Sequence, residues 1–399
     1  MATKPDKILI VAGDTDGNLG DRAIVLSMCA ALKGLRPDIE LAITSADPAS
    51  AREFFRGIQI ILRGPRGLVA LMKCAWASDL ILCGGGGLFQ DDDSLAKMPY
   101  WAMRLVFLRL FCRRIVGYSL GVGPLTSRSG RGWARVALSC MTRITVRDER
   151  ALNTCRALTS KSITVLPDPA LVTPPAAPAE ALAVLRAKGL PQGDAPIIGV
   201  ALRRWFHNPD KTWIPHKYAY KYRLRSIPER SEYQRLIALL AKVLDDLVAS
   251  YNAYVLCMPT YNVSHESDDE TCRQVLEKMH TGRAAMVEIR DPRLYKTVAG
   301  QLAVMLGGRM HPTILAASAG TPIVGLSYNP KFSGFFALLG MVDRVIDIEA
   351  FVKHEMTGAL YSLLAQAIEG KGGYGDQRLR ELGEVIWSFN ESLLSGTAA

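Results

Sequence analysis

The feature that most constrains this chain is a repeated pattern: a short apolar run that stops at glycine or a polar turn, followed by apolar residues at helical spacing. Residues 7–12 (KILIVA) stop at Gly13, and after a polar, glycine-rich turn the apolar positions of 23–35 recur with the period of a helix. The pattern returns at 40–44, at 79–83 (DLILC) before four glycines, and at 114–118, 143–146 and 162–166, with helical stretches between the runs. Strands separated by whole helices pair in parallel, because antiparallel neighbours need only a short turn. A second series follows at 197–202 (IIGVAL), 253–258 (AYVLCM), 302–306 (LAVML) and 322–327 (PIVGLS), with an amphipathic helix over 232–250. Between the two series, residues 167–196 hold seven prolines and one helical stretch, 179–188. Such proline density marks a boundary. The expected fold class is α/β, with two Rossmann-like, doubly wound domains facing a cleft. An N-terminal Rossmann-like domain is expected over 1–172, a proline-rich linker over 173–196, and a C-terminal Rossmann-like domain with C-terminal helices over 197–399.

With 399 residues and 49% hydrophobic content, the chain can bury two sizeable cores, which excludes disorder and fibre. Its 48 Lys and Arg against 38 Asp and Glu leave a net charge of +10. That balance favours anionic partners without choosing among phosphates, nucleic acid and an acidic membrane surface. The eight cysteines show no Cys-x-x-Cys spacing, so neither a zinc site nor a disulfide framework is expected. The longest apolar stretch, 100–120, is broken by Arg104, Arg109, Arg113 and Arg114, and no membrane span is expected. The apolar run at 8–13 is too short for a signal peptide, which gives an expected cytoplasmic location.

In doubly wound folds ligands sit at the carboxyl ends of the strands, and the motifs of this chain fall there. Gly13 to Asp21 joins the first strand to the first helix, where small residues admit an anion to the backbone amides; a plain tight turn is the other reading. Gly84 to Gly87 follows DLILC, and four glycines cost more conformational entropy than a turn requires. The acidic run Asp91, Asp92, Asp93 reads as a solvated loop rather than a metal site. Arg147 stands at a strand tip, available to a substrate or to its own neighbours as an ion pair. The sharpest signal is Gly307-Gly308-Arg309-Met310-His311-Pro312, which puts a guanidinium and an imidazole where a strand end meets a helix start. Lys331 follows the next strand.

Taken in order, Asn18-Leu19-Gly20-Asp21, Gly84 to Gly87 with Gln90-Asp91, Gly121-Val122-Gly123-Pro124, Arg147-Asp148-Glu149, Asp168-Pro169, Arg309-x-His311 and Tyr328-x-Pro330-Lys331 resemble the polysaccharide pyruvyl transferase family. The likeness spans about residues 8–340 and departs at Ala151, where Ser is common, and at Asn329, where Asp is common. It implies a GT-B-like fold and transfer of pyruvate from phosphoenolpyruvate to two hydroxyls of a sugar as a cyclic ketal, with release of phosphate. Under that reading His311 is the general acid with Arg309 beside it, and Arg147, Arg203, Lys331, Asn18, Gly20, Asp21, Gly85 and Gly86 bind the donor. No metal and no cofactor is expected, phosphoenolpyruvate being a co-substrate.

Residues 203–230 carry eight Lys and Arg against two acids, with aromatics interleaved. A lid that stacks Trp205, Trp213 and Tyr218 on an acceptor sugar is the expectation, the acceptor being a saccharide that a lipid diphosphate can carry. Contact with an acidic membrane surface would place the protein peripherally at the inner face of the cell membrane. A nucleic-acid partner is not expected. Two other readings remain: a GT-B glycosyltransferase that uses a nucleotide-sugar, and a non-catalytic glycan-binding or assembly protein.

Overall fold

The computed structural model describes residues 4–92, 94–191, 193–205, 213, 220, 222, 230–263, 266–370 and 375–395. Its contacts divide the chain into two compact units. The first comprises 1–172, 210–222 and 381–399, and the second 173–209 and 223–380.

The first unit is built on β1 (Lys7–Val11), α1 (Leu19–Leu35), β2 (Glu40–Ser45), α2 (Pro48–Phe54), β3 (Gln59–Leu62), α3 (Leu68–Trp76), β4 (Leu80–Gly84), α4 (Lys97–Phe111), β5 (Ile115–Leu120), α5 (Arg128–Ser139), β6 (Arg143–Val146), α6 (Glu149–Arg156) and β7 (Ile163–Val165). Its sheet has the order β3-β2-β1-β4-β5-β6-β7, and each pairing is parallel. β4 and β5 are buried along their whole length, as strands covered by helices on both faces must be. One layer of the core joins α3, α4, α5 and α6 to the sheet through Leu71, Cys74, Leu105, Leu108, Leu138 and Leu152.

The second unit runs α7 (Pro178–Ala187), β8 (Ile197–Ala201), α8 (Ser231–Tyr251), β9 (Tyr254–Cys257), the two-stranded pair β10 (Asn262–Val263) and β11 (Glu266–Ser267), α9 (Asp268–Lys278), β12 (Ala284–Met286), α10 (Pro292–Ala299), β13 (Val304–Gly307), α11 (Met310–Ser318), β14 (Ile323–Ser327), α12 (Pro330–Leu338), β15 (Val345–Asp347), α13 (Ile348–Lys353), α14 (Thr357–Ile368) and α15 (Asp376–Ser395). Its parallel sheet has the order β12-β9-β8-β13-β14-β15.

In each sheet the chain winds outward from one central strand and then returns to that strand's other side. The order reverses between β1 and β4 in the first unit and between β8 and β13 in the second, which makes those strand ends the two switch points. The alternating α/β architecture expected from the apolar pattern is present in both units. Five strands escaped that pattern: β3, β12 and β15, at the edges of the parallel sheets and only four or three residues long, and the two-residue pair β10 and β11. All eight cysteines are buried and unpaired.

The C-terminal helices were expected with the second domain, but residues 381–395 of α15 return to the first unit. The reason is a buried seat. Phe389 packs edge-on against Tyr118, with ring centres 5.4 Å apart, and the Arg143 guanidinium lies 4.5 Å over the Phe389 ring. Tyr118 donates its hydroxyl to Asn390 Oδ1 at 3.1 Å, and Asn390 is fully buried. Burial raises the Tyr118 phenol above its ordinary pKa, so it stays a donor.

Candidate functional site

At the first unit's switch point the loop after β1 is tied up from inside. Asp21 Oδ2 accepts from the Asp14 amide at 2.9 Å, Asp14 Oδ1 from the amides of Asp16 and Gly17 at 3.2 Å each, and Asn18 caps α1 by accepting from Gly20 at 2.9 Å. Arg22, almost fully buried, donates to the carbonyls of Thr15 and Asp16 and lies 4.2 Å over the Phe54 ring. Four of the amides that the sequence offered to an anion are thus engaged by the loop's own side chains.

The glycine run also has an internal explanation. Gly84, Gly85 and Gly86 all hold positive φ, and a Cβ on Gly85 would lie 2.0 Å from Ile24 Cγ2, while one on Gly84 would lie 2.0 Å from the Tyr118 carbonyl oxygen. These residues let β4 pass between α1 and β5, with Gly85 donating to the Tyr118 carbonyl and Gly121 to that of Gly86. Asp91 is not a solvated loop residue. It is fully buried and accepts from the amides of Thr126 and Ser127 at 2.8 and 2.9 Å and from both hydroxyls, fixing the entry to α5. Arg147 is buried and donates to Asp168 Oδ2 at 3.3 Å, with Asp148 at 3.6 Å, the ion-pair alternative that the sequence left open.

The second switch point brings four of the named residues together. Arg203 follows β8, Arg309 and His311 follow β13, and Lys331 opens α12 after β14, three strands that are neighbours in the sheet. Gly307 and Gly308 make the approach possible: a Cβ at Gly307 would sit 1.9 Å from Thr313 Oγ1, and one at Gly308 would sit 3.2 Å from the Ala201 carbonyl oxygen. Gly308 donates to that same carbonyl at 2.7 Å, pinning the end of β13 to the end of β8.

Arg309 is the N-cap residue of α11, and His311 lies in its first turn. The orientation of Arg309 is set by a residue the sequence reading missed. Asp268 is fully buried at the start of α9, and its Oδ1 accepts from Arg309 Nε at 2.8 Å and Nη2 at 2.6 Å. Its Oδ2 accepts from the amides of Thr260 and Tyr261 at 3.3 and 3.0 Å and from the Thr260 hydroxyl at 3.2 Å. The guanidinium also stands 5.1 Å over the Tyr261 ring. Arg203 lies 4.3 Å over the ring of Tyr328.

Trp205, expected to stack on an acceptor sugar, is instead buried in the second unit's core, with its ring 5.5 Å from Tyr328. Its ring is taken up by protein, in one buried cluster with Leu202, Tyr233 and Leu326. Trp213 is exposed, and its carbonyl accepts from Ser94 Oγ at 2.8 Å. Tyr218 and most of the basic-aromatic segment lie outside the described residues. Among the described residues, no group of three or more His, Cys, Asp or Glu is placed to hold a metal ion.

A family model described as polysaccharide pyruvyl transferase matches residues 18–330. Solved structures share the two-domain α/β fold. The UDP-GlcNAc 2-epimerase from Methanocaldococcus jannaschii is 11% identical with a TM-score of 0.55, covering 95% of this chain and 99% of that one. The UDP-GlcNAc 2-epimerase from Neisseria meningitidis bound to UDP-GlcNAc is 12% identical with a TM-score of 0.54, covering 98% and 99%. A glycosyltransferase from Rickettsia africae is 10% identical with a TM-score of 0.52, again covering 98% and 99%.

Proposed function

The chain belongs to the polysaccharide pyruvyl transferase family, and from that premise we propose that it transfers pyruvate from phosphoenolpyruvate to a sugar of a bacterial-type polysaccharide or its lipid-linked precursor, as a cyclic ketal, releasing phosphate. The observation that carries the reading is the second switch point, where Arg203, Arg309, His311 and Lys331 stand on the ends of three adjacent strands. A three-carbon donor bearing a carboxylate and a phosphate calls for several cations in one place, and arginine suits both groups.

In the proposed reaction His311 gives its proton to the methylene carbon of the enol, imidazole being the side chain that most often moves protons in catalysis. The adjacent carbon becomes oxocarbenium-like, a sugar hydroxyl adds to it, and the proton of that hydroxyl returns to His311. The bond to the phosphate oxygen then breaks, the second hydroxyl closes the ring, and phosphate carries its proton away. Arg309, Arg203 and Lys331 hold the donor's anionic groups as charge shifts to the leaving phosphate. The route takes no metal or redox group. The residues of the first switch point enter as scaffold, since they hold one another. A lipid-linked acceptor would bring the protein to the inner face of the membrane.

The test is incubation with phosphoenolpyruvate and a panel of lipid-linked and nitrophenyl hexosides, reading phosphate release and product mass. A ketal product is expected, and His311→Asn is expected to keep donor binding but lose the product. If phosphoenolpyruvate leaves the melting temperature unchanged while a UDP- or GDP-sugar raises it, nucleotide-sugar glycosyl transfer replaces this reading.

A further inference from the structure

We infer that the outer face of α3, α4 and α5 is a docking surface for an anionic lipid bilayer. The inward face of α4 is apolar, with Met98, Trp101, Leu105 and Leu108 buried. Its outward face is apolar too: Tyr100, Met103, Val106 and Leu110 are all exposed, Leu110 at 73%. Beside it, α3 exposes Val69 and Trp76, the indole at 75%. A helix on the surface of a globular domain ordinarily turns a charged face outward, and one with apolar residues on its outward face as well has a second apolar partner.

The charge on these helices selects that partner. α3 carries Lys73, α4 carries Lys97, Arg104 and Arg109, and α5, packed against α4, carries Arg128, Arg131 and Arg135; none of the three helices contains an acidic residue. A second copy of the same face would set cation against cation, because a twofold contact apposes a patch to itself. Lipid phosphates offer the opposite charge at the level where apolar side chains enter the acyl boundary. At fifteen residues α4 is too short to cross a bilayer, and among the described residues no helix is long and apolar enough to do so. The geometry is that of helices lying in the interface, with Trp76, Met103 and Leu110 inserted. This gives a place to the membrane contact proposed above, while the transfer reaction is tested apart from it.

Cosedimentation of the full chain with vesicles decides the matter. Binding is expected to vesicles of phosphatidylcholine with phosphatidylglycerol and to be at least tenfold weaker with phosphatidylcholine alone or in 0.5 M salt, where screening is strong. Met103→Glu with Leu110→Glu is expected to cut binding at least tenfold, as is Arg131→Glu with Arg135→Glu, with melting temperature and ketal formation on a water-soluble hexoside unchanged. Absence of binding to the anionic vesicles, or binding by both paired variants as strong as that of the unaltered chain, overturns the inference. So does a dimer in size exclusion that Met103→Glu with Leu110→Glu dissolves.

Discussion

At position 268 a carboxylate without exposure accepts from a guanidinium, a hydroxyl and two backbone amides, and this fixes the direction of the Arg309 side chain. Removing one member of a buried ion pair leaves the other charge uncompensated, at about 3–5 kcal/mol. Asp268→Asn is therefore expected to lower stability on that scale. It should also weaken phosphoenolpyruvate binding about as much as Arg309→Ala, by roughly 1.5–3 kcal/mol, the worth of a hydrogen bond to a charged group. Denaturant titration and donor titration check the two halves, and unchanged donor affinity in Asp268→Asn would separate Arg309's orientation from its role. The placement of Arg309 and His311 was legible because a glycine pair, a strand end and a helix start coincide there. Asp268 was not: it begins the acidic triplet Asp268-Asp269-Glu270, and acids are favoured in a first helical turn whatever else they do. Only its pairing with a residue 41 positions away distinguishes it, and that pairing exists in space alone.

Among the elements, the end of β4 and α5 make opposite demands on substitution. Gly85→Val would meet Ile24 at a backbone φ of +77°, and a loss of at least about 2 kcal/mol is expected from strain and overpacking together. Gly132, within α5, has nothing within 4 Å of an added Cβ, so Gly132→Ala should stabilise by roughly 0.5–1 kcal/mol. Thermal unfolding of the two variants tests the contrast. On α10, Lys296 donates to the Thr173 carbonyl at 2.8 Å, and burial pulls its ammonium down to about 8. Its unfolded value is roughly 10.4, so the unfolded chain holds the proton more tightly across the window from about 8 up to that value. The penalty is complete below about 8 and fades as pH rises through that window. Lys296→Met should accordingly be more stable at pH 7, on the order of 2 kcal/mol, with the advantage shrinking towards pH 10. An advantage constant with pH would show packing to be the cause. The central strands were readable as long apolar runs; the edge strands QIIL, AAM and VID were too short to show a period.

For the whole molecule, the boundary near residue 172 was legible in the prolines, whereas the return of 381–395 to the first unit was not, since an amphipathic helix announces an apolar face and not its seat. Phe389→Ala should cost about 3–5 kcal/mol, and a chain ending at 375 should lose near-ultraviolet circular dichroism from Tyr118 and bind a hydrophobic dye. A truncated chain that melts like the intact one would show that the seat is dispensable. Synthesis on the ribosome gives this arrangement a cost in time. The strands of the first unit emerge by residue 172, but the helix that covers Tyr118 follows roughly 200 residues later. At about 5–20 residues per second, that leaves the Phe389 seat open for roughly 10–40 s in every nascent chain. During that interval the first unit keeps an apolar seat open to water, and its completion waits on a helix translated after the whole second unit.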